Sequence, residues 1–179
     1  MHNIEKNDVF DLAYRFVTET SENIFLTGKA GTGKTTFLKY LKANSTKNIV
    51  VAAPTGVAAI NAGGVTLHSL FQLPFHPFLP TKNNKEELLS KIKFNKQRLS
   101  LLQKMELLVI DEISMVRCDV MDAIDTILKH ARRNYHLPFG GVQILCIGDL
   151  YQLPPVAQNK EWSILNEYYE SPFFFDSMA

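Results

Sequence analysis

The segment from residue 28 to residue 35 has the residue types and the spacing of a phosphate-binding loop. It reads GKAGTGKT and matches the pattern GxxxxGK(S/T) in full. Phosphate needs hydrogen-bond donors at close range, and glycines allow a tight loop whose backbone N–H groups point inward. A helix that starts directly after the loop adds the positive end of its dipole. We therefore expect five residues of the loop to surround phosphate groups: Gly28, Ala30, Gly31, Thr32 and Gly33.

The next three residues, Lys34, Thr35 and Thr36, have individual predicted roles. Lys34 is expected to act in catalysis by reaching the β- and γ-phosphates, and the Thr35 hydroxyl is expected to bind Mg²⁺. Thr36 is expected to donate to the α- or β-phosphate. A chance match is the alternative, and the requirement for a strand before the loop and a helix after it makes that alternative rarer. The predicted cofactors are ATP and Mg²⁺.

A second motif is the apolar run 107–110, which ends in Asp111 and Glu112. Asp111 is expected to hold Mg²⁺, directly or through water, as the strand-end aspartate of this kind of ATPase does. Glu112 is placed to accept a proton from the attacking water. Alone, such a run is weak, because acidic residues often begin turns. Together with the upstream loop it favours ATP hydrolysis over nucleotide storage.

A third motif, GDLYQLPP at 148–155, follows another apolar run. Gln152 is a candidate sensor that detects the γ-phosphate and transmits its loss to other parts of the molecule. The alternative is an ordinary exit from a strand into a turn that proline stiffens. The residues alone leave both interpretations open.

The elements that must position these motifs alternate between strand and helix. Continuous apolar runs separated by helices predict an α/β fold with a mostly parallel sheet covered on both faces. Ligands of such sheets lie outside the carboxyl ends of the strands, where all three motifs begin. The predicted strands are 23–27, 48–53, 107–111 and 143–148, with a possible fifth at 173–175. The predicted helices are 8–18, 34–42, 55–62, 86–102 and 119–132, with a helical turn at 66–71 and a loop at 72–84.

Composition excludes several classes of protein. The net charge is only +1, so any DNA-binding claim must rest on local features. Cys118 and Cys146 form no disulfide framework or metal pattern, and Cys146 is expected to be a buried, inert thiol. Residues 1–6 lack an apolar signal core, and no apolar stretch approaches the ~20 residues of a membrane span. We expect a soluble cytoplasmic protein with no membrane partner.

Several segments together resemble one family, the PIF family of 5′-to-3′ DNA helicases in superfamily 1. They are GKAGTGKTTFLKYL (28–41), APTGVAAINAGGVTLHSLF (53–71), VIDEISMV (109–116) and PFGGVQILCIGDLYQLPPV (138–156). Residues 112–132 are also similar to the family's own signature segment. The resemblance covers about residues 24–156. The first segment is shared by many ATPases, whereas the second and fourth are much more specific.

This resemblance implies a RecA-like fold over residues 1–179, the first of two motor domains. The strand 143–148 would lie between the strands 23–27 and 107–111, which would bring Gln152 beside the γ-phosphate. The implied activity is ATP-driven translocation on single-stranded DNA and duplex unwinding, by a protein expected to be a monomer. Five residues would contact the single strand: Pro54, Thr55, Gly56, Thr66 and His68.

The residues of the second segment also have simpler interpretations. Without the resemblance, Thr55 and Gly56 favour a capped helix whose residues 58–60 pack in the core. His68 alone is more often structural than functional. Four side chains of the following loop either stack on bases or pack against the domain, and the sequence does not decide between these. They are Phe71, Phe75, His76 and Phe78.

Two departures from the family pattern qualify the resemblance. The helicases carry an N-terminal glutamine that reads adenine, but no glutamine precedes Gln72, and Asn7 is an unsupported substitute. The second motor domain and its arginine finger are expected to be missing after Ala179. We therefore expect ATP–Mg²⁺ binding with very slow hydrolysis. The rival interpretations are an ATPase switch or clamp-loader-like protein acting on protein partners, and a module that binds without turnover.

Overall fold

The computed structural model describes residues 8–179. Residues 1–6, which carry the argument against a signal segment, and Asn7, the conceivable adenine reader, lie outside the described residues. Over residues 8–179, no helix is long and apolar enough to cross a membrane.

The elements alternate along the chain much as the apolar pattern predicts. The strands are β1 (Ile24–Thr27), β2 (Ile49–Ala53), β3 (Val65–Thr66), β4 (Leu107–Ile110) and β5 (Gln143–Gly148). The helices are α1 (Asp8–Glu19), α2 (Lys34–Asn44), α3 (Gly56–Ala62), α4 (Leu67–Phe71), α5 (Lys82–Lys91), α6 (Lys96–Lys104), α7 (Cys118–Arg132) and α8 (Asn159–Leu165). Short 3-10 turns span Ile113–Met115, Pro138–Gly141 and Phe174–Asp176.

The five strands form one sheet in the order β1-β5-β4-β2-β3, and every neighbouring pair is parallel. The predicted α/β class with a parallel sheet is confirmed. The implied position of β5 between β1 and β4 is also confirmed. Strand β3, which the sequence analysis did not predict, extends the sheet beside β2.

Both faces of the sheet are covered, which explains why the strands read as continuous apolar runs. On β4, Leu107 and Val109 pack in a cluster with residues of α1 and α2. Leu108 and Ile110 point the other way, into a larger cluster that includes α4, α6 and α7. The side chains of β4 and β5 are buried along their whole length.

Cys146 lies in the larger cluster, as expected, and Cys118 is buried in a separate small cluster with Leu165 and Tyr169. Burial raises the pKa of Cys118 and of Cys146 to about 12, so neither thiol is ionised at neutral pH.

The apolar residues of α1 are unequally buried. Val9, Leu12 and Phe16 are 67%, 54% and 46% exposed, whereas Val17 is fully buried. The helix packs against the core cluster mainly through half-buried side chains, among them Phe10. Aromatic rings of α1 contact those of α2 edge to face. The helix therefore packs on α2 through these rings rather than through its exposed apolar side chains.

The predicted single helix 86–102 is wrong as well, because the chain forms two helices there. The break falls at residues 92–95, where the Asn95 side chain accepts a hydrogen bond from the Arg98 backbone N–H at 2.8 Å. Asparagine favours such a helix start over a helix interior. The preceding helix begins earlier than predicted because Thr81 caps it in the same way.

The possible fifth strand at 173–175 does not form. Only an isolated antiparallel bridge joins Phe173 to Arg117, and the chain then turns through Phe174–Asp176. This turn brings the Met178 N–H within 2.9 Å of Asp122 Oδ1. The sequence analysis also missed α8, which lies between the third motif and this segment.

Helix α7 holds three separate segments through buried carboxylates spaced three residues apart, on Asp119, Asp122 and Asp125. Each accepts one backbone N–H from a segment distant in sequence. In the same order, the donors are Phe78 at 3.0 Å, Met178 at 2.9 Å and Phe139 at 2.7 Å. The helix of the family-like signature segment is therefore a scaffold for the loops around it.

We expect Asp122→Ala to lower the free energy of unfolding by about 2–4 kcal/mol, because it leaves the buried Tyr169 hydroxyl and the Met178 N–H without their acceptor. Chemical denaturation of the two proteins measures the change. Glu86→Ala removes an exposed carboxylate whose lysine partner lies 3.9 Å away, and it should change stability very little. Equal effects of both substitutions would contradict a scaffold role for Asp122.

Candidate nucleotide and nucleic-acid site

The loop between β1 and α2 has the backbone shape that phosphate binding needs. Gly31 and Gly33 have φ of +82° and +92°, a region that other residues rarely adopt. A Cβ on Gly28 would lie 2.6 Å from Thr32 Oγ1, so this position also requires glycine. The Thr32 hydroxyl in turn donates to the Lys29 carbonyl at 2.8 Å, which closes the loop on itself.

The charged and hydroxyl side chains of this loop are arranged for an anionic ligand. The Lys34 ammonium group donates to the Gly28 carbonyl oxygen and, at 3.0 Å, to that of Lys29, so it lies across the mouth of the loop. Thr35 and Thr36 are exposed in the first turn of α2. Their hydroxyls have no hydrogen-bond partner in the described part of the chain. Two unpartnered hydroxyls beside an ammonium group fit a Mg²⁺-bound triphosphate.

Asp111 and Glu112 leave β4 through a strained turn. The Asp111 N–H donates to the Ala52 carbonyl of the neighbouring strand at 2.9 Å. Glu112 has φ of +53°, a left-handed conformation for a residue with a side chain, and its N–H donates to Asp111 Oδ1 at 3.0 Å. Such conformations cost about 1–3 kcal/mol and concentrate at functional sites.

The two carboxylates are unusually basic for their type. Burial raises the pKa of Asp111, and the Glu112 N–H and the Lys34 charge partly offset this. Burial also raises the pKa of Glu112, as does the negative charge of Asp111, while Lys34 lowers it. A raised pKa makes Glu112 a better proton acceptor at neutral pH. The loop follows β1 and the acidic turn follows β4, and both strands pair in parallel with β5, so the two segments lie at the same edge of the sheet.

Gln152 is held by Asp149, a residue that was not predicted from the sequence. Asp149 is buried, and its Oδ2 accepts a hydrogen bond from Gln152 Nε2 at 3.3 Å. Its other oxygen accepts the Tyr151 N–H at 3.1 Å. The charge of Asp149 contributes to raising the pKa of Glu112, so the third motif reaches the acidic turn. An aspartate directly after a buried strand is the signal that could have identified it.

The turn Ile113–Met115 is packed directly under β5. A Cβ on Gly148 would lie 2.8 Å from Ile113 Cγ2 and 3.2 Å from the Ile113 nitrogen. Beside it, the Ser114 hydroxyl is buried and has no partner among residues 8–179. The close approach at Gly148 therefore fixes the distance between β5 and the turn that begins next to Glu112.

The five residues expected on the DNA track lie together at the carboxyl end of β2 and β3. The register pairs Ala53 with Thr66, so Thr66 lies beside the chain at Pro54. Thr55 and Thr66 cap α3 and α4 by accepting N–H groups at 3.2 Å and 3.1 Å. Gly56 is exposed, and His68 is half-buried on the first turn of α4.

The simpler interpretation of this segment is half right. The Thr55 cap exists, and Ala59 is buried, but Ile60 is 80% exposed and therefore lies outside the core. The helix cap at Thr55 does not explain why the apolar side chain of Ile60 is exposed.

The aromatic residues of the loop divide into two groups. Phe71 and Phe78 are buried, so base stacking by these two is excluded and the packing interpretation is correct for them. Phe75 is 89% exposed, and His76 is exposed too. The ring of Phe75 lies parallel to that of His68, with centroids 5.4 Å apart and 12° between the planes.

Comparison with known proteins identifies the family. The model of the family described as PIF1-like helicase matches residues 1–169. The ATP-dependent DNA helicase PIF1 of Candida albicans is 43% identical over 140 residues, which are 76% of this chain and 15% of that protein. The ATP-dependent DNA helicase Pif1 of a Psychrobacter species is 38% identical over 149 residues, 81% of this chain and 22% of that protein.

Among solved structures, the Pif1 helicase from Bacteroides in complex with ADP-AlF3 and single-stranded DNA is similar, with a TM-score of 0.90 and 49% identity. The match covers 98% of this chain and 39% of that chain. The chain belongs to the PIF1-like helicase family. It spans only 15–22% of the length of the two curated relatives.

We expect Gly148→Ala to destabilise the domain by about 1–3 kcal/mol and to displace the turn that carries Glu112, because the new methyl group overlaps Ile113. The matched control is Gly56→Ala, where a Cβ meets nothing within 4 Å. Thermal or denaturant unfolding measures both. A Gly148→Ala protein as stable as the control would mean that the close approach is not required.

Proposed function

We propose that this domain binds and hydrolyses ATP with Mg²⁺ and is the first motor domain of a helicase that moves 5′ to 3′ on single-stranded DNA and unwinds duplex. One observation carries the proposal. The phosphate loop, the Gln152 segment and the Asp111–Glu112 turn follow three adjacent parallel strands, β1, β5 and β4, so all three lie at one edge of the sheet.

In the proposed ATP site, the loop N–H groups and Lys34 hold the phosphates, and Thr35 and Asp111 hold Mg²⁺. When bound, the metal neutralises charge on the phosphates. Few protein ligands are needed, because Mg²⁺ in such sites keeps several waters and binds the phosphates themselves. The unpartnered Thr35 hydroxyl and the half-buried Asp111 carboxylate support this assignment.

Glu112 is the proposed general base. Its raised pKa favours proton uptake from the attacking water, and the positive charge of Lys34 partly offsets the rise. Gln152 is the proposed sensor of the γ-phosphate, and Asp149 holds its amide in position. Loss of the phosphate would change the partners of Gln152 and so move the exposed segment that follows it.

The proposed DNA track begins one strand away from the ATP site, because β2 pairs directly with β4. Pro54, Thr55 and Gly56 follow β2, and Thr66 and His68 follow β3. The two sites thus share one rigid sheet edge. The single-stranded DNA and nucleotide analogue bound to the similar Bacteroides helicase support this pairing of ligands.

A second RecA-like domain of the same protein is the proposed partner, since the curated relatives are several times longer than this chain. An arginine finger from such a domain contributes ~10³–10⁵ in rate, so the 179-residue chain alone should hydrolyse ATP very slowly. We also propose that the protein acts as a monomer. A DNA partner implies the bacterial cytoplasm, or the nucleus or mitochondrion of a eukaryote.

Lys34→Ala should weaken the binding of ATP–Mg²⁺ by at least about tenfold, because it removes the ammonium group at the mouth of the loop. Isothermal calorimetry on this chain measures the affinity. Lys39→Ala is the matched control, since Lys39 is exposed on the same helix α2. Equal affinity of the Lys34 variant and the control would refute the assigned loop.

Glu112→Gln in the longer protein should lower DNA-stimulated ATP turnover by roughly 10²–10⁴-fold and leave ATP binding intact, because the amide keeps the shape but cannot take a proton. Turnover is measured with and without single-stranded DNA. Persisting turnover would remove Glu112 as the base. Wild-type turnover that single-stranded DNA does not stimulate would instead favour the ATPase that acts on protein partners.

A further inference from the structure

The first residues of β2 form an open edge of the sheet. Strand β3 pairs with β2 only at Ala52 and Ala53, so no strand of the described residues lies beside the start of β2 on that side. A groove of about 570 Å³ lies along this edge, and helix α6 forms its opposite wall. We propose that the groove binds an extended, acidic segment of a partner protein, which adds a strand to the sheet beside residues 48–50.

The backbone of β2 supplies hydrogen-bonding groups for such a strand. The Asn48 carbonyl accepts the Leu107 N–H at 3.3 Å, and the Ala52 carbonyl accepts the Asp111 N–H at 2.9 Å, both from the side of β4. Because alternate residues of a strand turn their backbone groups to opposite sides, the N–H and C=O of Ile49 face away from β4. Neither has a partner in the described part of the chain. Unpaired groups of this kind are a template for a further strand.

The open edge ends where the chain enters β3. A Cβ on Gly64 would lie 2.3 Å from the Val51 carbonyl oxygen, so the backbone of the turn already covers β2 at that residue. The Lys42 ammonium group donates to the Gly63 carbonyl at 2.9 Å and so fastens this turn to α2. A partner strand therefore has room beside residues 48–50 and ends before Val51.

The walls of the groove suit the alternating side chains of an extended segment. Val50 packs towards the core cluster on the side of α6, and Ile49 packs towards the cluster on the side of α2. Leu101 of α6 is 44% exposed in the groove, above the buried Met105. Successive side chains of a strand point to opposite faces, so one row of the partner would contact Leu101 and the other would lie near α2.

The charge of the groove selects the type of partner. Lys42, Lys47 and Lys104 line it, no acidic side chain does, and none of the three forms a salt bridge in the described residues. Three uncharged oxygen atoms fix the Lys47 ammonium group at 2.6, 2.6 and 2.7 Å. The nearby Glu106 carboxylate accepts two hydrogen bonds from Asn48. The groove therefore has a net positive charge that aspartate or glutamate side chains complement.

Other occupants fit the groove less well. A second copy of the chain would bring the same lysines to the same edge, and like charges oppose that pairing. Single-stranded DNA has the opposite charge but lacks the row of N–H and C=O groups that continues a sheet. The groove also lies at the amino ends of β2 and β4, whereas the proposed ATP and DNA sites lie at the carboxyl ends. A bound partner therefore leaves both of those sites open.

The test uses three fluorescent peptides of about eight residues, a length typical of strands. The first alternates glutamate and valine, and the second alternates lysine and valine. The third has the sequence of the first with methyl groups on its central backbone nitrogens, which removes the donors of a strand. Fluorescence anisotropy measures their binding to this chain at physiological salt, where charges more than about 8 Å apart are largely screened.

We expect the acidic peptide to bind at least about tenfold more tightly than the other two. Lys104→Glu should weaken its binding roughly five- to thirtyfold, because an attractive charge becomes repulsive. Lys96→Glu is the matched control, since Lys96 is exposed at the other end of α6 and outside the lining of the groove. Ile49→Pro removes the outward N–H and should weaken binding at least about tenfold. Both groove variants should keep wild-type affinity for ATP–Mg²⁺.

Hydrogen exchange followed by nuclear magnetic resonance tests the strand pairing directly. In the free chain, the Ile49 amide should exchange faster than the Val50 amide, which faces β4. The acidic peptide should slow exchange at Ile49 at least about tenfold, and the methylated peptide should not.

Equal binding of the acidic and methylated peptides, or equal effects of Lys104→Glu and Lys96→Glu, would overturn the proposal. So would no binding of the acidic peptide at millimolar concentration, or its displacement by single-stranded DNA. Thermal unfolding first checks that Ile49→Pro is folded, while Lys104 is exposed and its substitution does not threaten folding. Failure of the wild-type chain to bind ATP would instead count against the proposed function, and the peptide measurements would stand apart from it.

Discussion

The parallel pairing of β5 with both β1 and β4 is the constraint on which the rest of the molecule depends. Parallel strands point their carboxyl ends at one edge, so the residues that follow three distant segments of sequence meet there. The close contact of Gly148 with the turn after β4 makes the placement tight enough for chemistry. The proposed ATP site uses this arrangement, because the segments with Lys34 and Glu112 follow the two strands that flank β5.

The same geometry concentrates charge. Burial raises the pKa of Asp111 and of Glu112, and the positive charge of Lys34 partly offsets both rises. The strained conformation at Glu112 adds to this cost. Such a site is stabilised by a ligand that brings positive charge and accepts hydrogen bonds, as a metal–phosphate pair does. The core of the domain, which is buried on both faces of the sheet, stabilises this local arrangement.

The parts of the structure that the sequence predicts are those governed by local rules. Strands β4 and β5 are recognisable as continuous apolar runs, and the phosphate loop is recognisable because its glycine positions are sterically required. The misassigned parts depend on tertiary contacts. The apolar run 173–175 forms a turn beside Met178, whose N–H donates to Asp122 of α7, and α1 packs on α2 through aromatic rings. Asp149 was missed because its role is visible only once Gln152 lies beside it.

The three carboxylates of α7 have a consequence for how the native state fluctuates. Segments fastened separately to the body of a protein open separately, each with its own hydrogen-exchange protection. Here Phe78, Phe139 and Met178 all donate their amide hydrogens to one helix. Fraying of that helix would release all three amides at once, so the loop bearing Phe75, the approach to β5 and the last residues of the chain belong to one cooperative unit of local unfolding.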